Sequence, residues 1–184
     1  MAGLVRLGNG IAVTAIALAL AAAFLLQFVM NELPCPLCNL QRVALALCGF
    51  GFLLNLRFGV QPMHYGLSLL AALFGAAASG RQVLLHVLPG SGAYGSAVLG
   101  LHLYAWSFVA FVAILAGIAL LMIFGGEPEP SRSERRNGMD GLSRLAAWFL
   151  IALTLANAVN SVLLCGPIEC ADDPAGYWIS RYLP

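Results

Sequence analysis

The residues with chemistry to offer are concentrated in one short stretch, Pro34-Cys35-Pro36-Leu37-Cys38-Asn39-Leu40-Gln41-Arg42. A C-x-x-C pair exchanges thiols for disulfides when one of its sulfurs is held as thiolate. The residue before a proline is driven to extended backbone, and proline suits the first position of a helix. Cys35 should therefore stand just outside a helix and Cys38 in its first turn. There the unpaired amides and the positive helix end favour a thiolate. Arg42 follows one turn later on the same face and cannot lose its charge. A thiolate at Cys38, or an anionic redox partner beside it, would have a fixed counter-ion.

A second pair, Cys165 and Cys170, lies near the carboxyl end among acidic residues. C-x-x-C also serves as half of a zinc site, but four ligands would need a second C-x-x-C or a Cys/His pair at similar spacing. The later pair has four intervening residues and no histidine nearby. A purely structural disulfide between Cys35 and Cys38 would close so small a loop that it removes little unfolded-state entropy. Cys48 lies mid-way along an apolar run, too deep to reach either pair, and reads as an inert packing residue.

The elements that position these cysteines are membrane spans. Apolar residues make up 61% of the chain and charged residues 9%, against roughly half and a quarter in soluble proteins. A net charge of +1 offers no basis for nucleic-acid binding. Residues 11–30 contain no charge and suffice to cross a bilayer core at ~1.5 Å per residue. A cleaved signal peptide would have an apolar region of only about 7–15 residues, so this run reads as a retained first span. Further spans are expected at about 40–56, 65–88, 101–124 and 145–164. The segment 125–144 has the Pro128, Pro130 and mixed charges of a flexible loop. The expected fold class is an all-α integral membrane protein, a four-helix transmembrane bundle with a fifth transmembrane helix. Its divisions are a four-span unit at 1–124, a cytoplasmic loop at 125–144, the fifth helix at 145–164 and an outer tail at 165–184.

All nine basic residues are arginine. Arg6, Arg57, Arg132, Arg135, Arg136 and Arg144 fall on one side of this arrangement, and outside the spans only Arg181 falls on the other. The positive-inside rule then puts the amino terminus in the cytoplasm and, with five spans, the tail outside. Both cysteine pairs arrive on that outer face, where thiols can be oxidised.

The stretch from Leu33 to Arg42 resembles the first outer loop and second helix of the bacterial disulfide bond formation protein B family, DsbB. Gly80-Arg81-Gln82-Val83 and Gly100-Leu101-His102-Leu103-Tyr104 are also similar to stretches of its members, and the resemblance covers about 12–124. It implies a four-helix bundle in the bacterial inner membrane that passes electrons from a soluble periplasmic oxidase, DsbA, through two disulfides to ubiquinone or menaquinone. By position it implies that Cys35 and Cys38 are the quinone-linked pair, with Cys38 nearest the quinone and Arg42 and Gln41 helping to bind it. Family members usually carry their second cysteine pair between spans three and four, where residues 89–100 have none. Cys165 and Cys170 could supply it from the end of the fifth span, which leaves the partner and its docking open. The acids Glu169, Asp172 and Asp173 disfavour a thiolate at Cys170, so an incoming thiolate should attack Cys170 and release Cys165. Cys165 would then attack Cys35.

Vitamin K epoxide reductase-like bundles also couple a membrane C-x-x-C to a quinone, and a non-catalytic assembly factor could hold a metal or a partner through the outer cysteines. The Gln41-Arg42 match favours the DsbB reading. Arg81 is divided between snorkelling to headgroups and a role near the quinone. His64, His86 and His102 read as boundary residues, with His64 on the opposite side from the other two. Asn157 and Asn160 read as interhelical hydrogen-bonding residues that dock the fifth helix. Trp106, Trp148, Tyr177 and Trp178 read as interfacial aromatics, the last two with a docking surface as the alternative.

Overall fold

A computed structural model describes residues 2–88, 90, 92–124, 139, 141–167, 170–172 and 174–181. Five helices in it are long and apolar enough to cross a membrane: α1 (Ala2–Val29), α2 (Pro36–Phe58), α3 (Pro62–Leu85), α4 (Leu103–Phe124) and α5 (Gly141–Cys165). The protein is an all-α, multi-pass membrane protein. The expected loop at 125–144 lies outside the described residues except for Met139 and the first turn of α5, so Arg132, Arg135 and Arg136 do too.

Helix boundaries differ from the apolar runs in ways that polar contacts explain. α1 begins at Ala2, nine residues before the uncharged run, because Asn9 is not a break. It is fully buried and donates to the Val5 carbonyl at 2.8 Å and to the Tyr65 hydroxyl at 2.9 Å. α5 likewise starts before its expected first residue and takes in Arg144, whose Nη2 donates to the Met139 carbonyl at 3.3 Å. The expected fourth span loses its first two residues to a small hairpin. Leu101–His102 (β2) pairs antiparallel with Ala97–Val98 (β1) through a turn at Leu99 and Gly100, both at positive φ. Apolar character alone could not separate strand from helix there.

α2 is the central helix, packed against α1, α3 and α5, while α4 lies chiefly on α3. In lipid there is little hydrophobic gain from joining helices, so close approach and hydrogen bonds must do it. Gly75 of α3 meets the Phe111 ring of α4, where a Cβ would overlap the ring. Only Tyr104, Phe111 and Ile118 of α4 are buried. Their seven-residue spacing is one narrow stripe, flanked by the partly buried Ile114, Leu115 and Leu121. α2 and α3 are joined mid-membrane by Ser68, whose hydroxyl donates to the Cys48 carbonyl at 2.9 Å, while Cys48 Sγ lies 3.5 Å from the Ser68 carbonyl. Cys48 is fully buried there as a free thiol, the packing role expected of it.

Two polar networks close the ends of the bundle. At the end where α1 begins, labelled inner, Asn55 Nδ2 donates to Asn9 Oδ1 at 3.0 Å, and Asn55 Oδ1 accepts from the Gln61 amide at 3.1 Å and from His64 Nδ1 at 2.9 Å. The opposite end, labelled outer, holds Cys35, Cys38, Cys165 and Cys170.

Candidate functional site

Local sequence places Cys35 and Cys38 as expected. Cys35 is the N-cap of α2, with extended φ and ψ of −68° and 167°, and Pro36 opens the helix. Cys35 Sγ takes the place of a capping hydroxyl and accepts from the Cys38 amide at 3.2 Å. Cys35 is buried and Cys38 half-buried, and both are free thiols. The Cys35 thiol is pushed well above the ordinary cysteine range, first by the hydrogen bond it shares with the Cys38 side chain and then by burial. In the reduced pair the proton therefore stays on Cys35.

A residue given no role from sequence stands over both sulfurs. Gln82 of α3 is 1% exposed. Its Nε2 lies 3.4 Å from Cys35 Sγ and 3.6 Å from Cys38 Sγ, and its Oε1 accepts from Gln41 Nε2 at 2.8 Å. Gln41, expected at a cofactor, thus uses its amide to fix which end of Gln82 faces the sulfurs. The inward phase of α3, with Gly75, Ala78, Ser79 and Gln82 all buried, was the signal available for Gln82. Its neighbour Arg81 is exposed and does not line the site.

Arg42 is buried, and its fork turns towards α1. Nη1 donates to Gln27 Oε1 at 2.7 Å, Nη2 donates to the Ala23 carbonyl at 3.1 Å, and the guanidinium carbon sits 5.3 Å from the Phe24 ring centroid. Arg42, Cys38, Gln41 and Gln27 line one cavity of about 80 Å³, completed by apolar Leu26, Leu45 and Leu103 and by Tyr94 and Tyr104. A single water needs roughly 10–15 Å³, so the space is several waters large. The α1–α2 and α3–α4 loops contribute Glu32, Leu33 and Tyr94 to its lining. The Glu32 carboxylate accepts from the Ser96 amide at 2.9 Å and from its hydroxyl, and the Tyr94 hydroxyl donates to the Leu33 carbonyl at 2.6 Å. His86 and His102 both stack on Tyr104, at 5.2 and 5.4 Å between centroids.

The second pair is placed by the end of α5. Gly166 adopts φ +67°, and its amide donates to the Val162 carbonyl at 2.8 Å, ending the helix. Cys165 and Cys170 are joined as a disulfide, and neither is among the residues lining the cavity. The acids Glu169 and Asp173, invoked for the order of attack, lie outside the described residues. Beyond the disulfide the chain folds back, and Trp178, which opens a 3-10 turn (Trp178–Arg181), packs on Gly166 so closely that a Cβ there would overlap the indole. Tyr177 turns inward rather than to an interface. Its hydroxyl accepts from Gln27 Nε2 at 2.9 Å and donates to Asn160 Oδ1 at 3.2 Å, and Gln27 Nε2 also donates to Asn160 Oδ1 at 2.7 Å. Asn160 therefore docks α5 as expected. Asn157 is buried, with its Oδ1 unpartnered.

The cavity has remaining N–H donors of Arg42 and Gln41, the rings of Tyr94 and Tyr104, leucines and the Cys38 sulfur in its lining. Residues 6–94 match the sequence model of the family described as Disulfide bond formation protein DsbB. The chain is similar to the Disulfide bond formation protein B of Nitrosomonas eutropha, 42% identical over 71 residues, which is 36% of this chain and 44% of that protein. It is also similar to the protein of that name from Chromohalobacter salexigens, 37% identical over 90 residues, 46% of this chain and 52% of that protein. The chain thus aligns with about half the length of these curated relatives. No solved structure matches it significantly. The family match takes in Gln27, both sulfurs of the first pair, Gln41, Arg42 and Gln82, and stops before α4, α5 and the tail.

Proposed function

From the match of residues 6–94 to the DsbB family model, we propose that this membrane protein is a DsbB-type, quinone-dependent thiol-disulfide oxidoreductase that reoxidises a periplasmic DsbA-like dithiol. The observation that carries the reading is the seating of Cys38 at the edge of a cavity shared with Arg42 and Gln41, with one amide, Gln82, over both sulfurs. In this reading the divisions are a redox bundle at 1–124, a fifth helix, and a periplasmic tail with the second pair. The orientation, with the amino terminus cytoplasmic, rests on the arginine asymmetry. A reporter fused after the last residue that behaved as cytoplasmic would overturn it.

The residues divide the work. A partner thiolate attacks Cys170, forming a mixed disulfide and releasing Cys165 as thiolate; the partner's second thiol then resolves that bond and leaves oxidised. Cys165 attacks Cys35 of the oxidised first pair, Cys38 leaves as thiolate, and Cys170 closes again on Cys165. The outer pair is thereby restored as a disulfide and the first pair is left reduced. Two electrons and the one proton held by Cys35 must then leave the pair for the first disulfide to reform. A bound ubiquinone or menaquinone would accept the two electrons and that proton, with its second proton drawn from water. Arg42 and Gln41 would hold its oxygens, and Gln82 would keep the two sulfurs aligned as the proton leaves Cys35.

The test is oxidation of a reduced DsbA-like protein by the purified chain, followed by loss of quinone absorbance. Turnover that needs both the quinone and Cys38 is expected. Dithiol oxidation that ignores the quinone, or none at all, would overturn the reading. With a partner whose second cysteine is changed to Ser, the parent chain should accumulate a mixed disulfide on Cys170. A mixed disulfide on Cys165 instead would reverse the assigned order.

A further inference from the structure

Gln27 is 2% exposed and touches three polar groups from three parts of the chain, Arg42 on α2, Asn160 on α5 and Tyr177 in the tail. A carboxamide has one end that accepts and one that donates, and guanidinium only donates. The carbonyl end of Gln27 must therefore face Arg42, and the reverse orientation would set N–H against N–H. Two acceptors select the productive orientation, Asn160 Oδ1 at 2.7 Å and the Tyr177 hydroxyl at 2.9 Å. Tyr177 in turn donates to Asn160 Oδ1 at 3.2 Å, so the three side chains close a ring of hydrogen bonds.

We infer that Tyr177 is a positioning residue for Arg42, acting through Gln27, so that the tail after α5 completes a binding site otherwise built by α1 to α4 and the loops between them. The inference deepens the proposed function and rests on it for the identity of the ligand, a quinone. It extends that function because α5 and the tail lie beyond the family match. Tyr177 lies seven residues after Cys170 in the segment that carries the second disulfide, so one short tail serves both redox pairs.

The experiment uses the full chain purified in detergent with a short-chain ubiquinone. Tyr177→Phe removes one hydroxyl and keeps the ring. It should raise the quinone KM about fivefold, the factor a single neutral hydrogen bond is worth, with kcat at saturating quinone and the KM for the reduced partner unchanged. On an Arg42→Ala background the same change should add nothing, whereas a merely structural tyrosine would weaken both proteins alike. Independently of turnover, phenylglyoxal should modify Arg42 several-fold faster in Tyr177→Phe than in the parent, read by mass spectrometry of the peptide carrying residue 42. An unchanged rate of Arg42 modification would overturn the inference whatever the fate of the proposed activity. Quinone turnover in the parent with an unchanged KM in Tyr177→Phe would overturn it while leaving the activity standing.

Discussion

The bundle buries a polar network at each end, and the two are built on opposite plans. The inner one joins Asn9, Asn55, His64 and Tyr65, all from α1 to α3, and Asn55 places both ends of its carboxamide on partners. The space beside it is only about 10 Å³. The outer one holds a buried guanidinium and two free sulfurs, borrows Tyr177 from the far end of the chain, and borders a cavity of about 80 Å³. It also leaves buried polar atoms without partners close by in the chain, both side-chain atoms of Asn39 next to Cys38 and Nδ2 of Asn160. A network whose members satisfy one another holds helices together. One that keeps charge, sulfur and space at a membrane depth where each is costly is equipped for a ligand.

That contrast is most exposed to Cys38→Ser, which should reduce quinone turnover to background while leaving the outer disulfide able to react once with its partner. Residual turnover would remove the outer network from the chemistry. Arg42→Ala should come next, raising the quinone KM by roughly ten- to a hundredfold, the range for hydrogen bonds to a charged group. Lysine should fall between, because it keeps the charge and loses the planar fork. An unchanged KM in Arg42→Ala would make the arginine a mere anchor to α1. Gln82→Leu removes the donor over both sulfurs and should lower turnover about fivefold; wild-type rates would reduce it to packing.

At the inner end the expected effect changes in kind. Asn55→Ala orphans the buried Asn9 carbonyl oxygen and the His64 imidazole, and should cost about 1–3 kcal/mol of stability in detergent unfolding, with turnover per folded molecule intact. A loss of turnover without a loss of stability would erase the distinction between the two ends.

The smallest effect concerns pH. The folded-state pKa of Cys35 is raised, chiefly by the hydrogen bond with Cys38. Its contribution to the stability of the reduced protein is thus fully present below the ordinary thiol value and declines as pH rises beyond it. Reduced parent protein should lose stability relative to Cys35→Ala only in that alkaline range, as read by thermal unfolding at stepped pH. Parallel curves would show that Cys35 titrates as an ordinary thiol.

Local rules carried part of this site and missed the rest for a physical reason. The cap at Cys35, the helix start at Pro36 and the common face of Cys38 and Arg42 follow from neighbours within a turn, so they were legible in one stretch of sequence. The match over residues 6–94 agrees with the family resemblance read from the same stretch. Gln82 and Gln27 act across helices, on partners 15 to 150 residues away, and no spacing encodes that. Both left a fainter trace, as polar residues at buried helix phases. Tyr177 left none. Aromatic residues beside a span suit the headgroup layer, and only the turn at Gly166 and the packing of Trp178 send this one inward.

The arrangement of α4 has a consequence for how the cavity fills. α4 leans on α3, α1 leans on α2 and α5, and α1 and α4 meet only lightly, yet both supply walls of the cavity through Leu26, Gln27, Leu103, Tyr104 and Ser107. A lipid-soluble ligand can approach that seam by sliding within the leaflet, without crossing water. Occupancy would then follow the ligand's mole fraction among lipids rather than its molar concentration. Diluting the vesicles with buffer should leave the rate per protein unchanged, and diluting the ligand with more phospholipid should slow it.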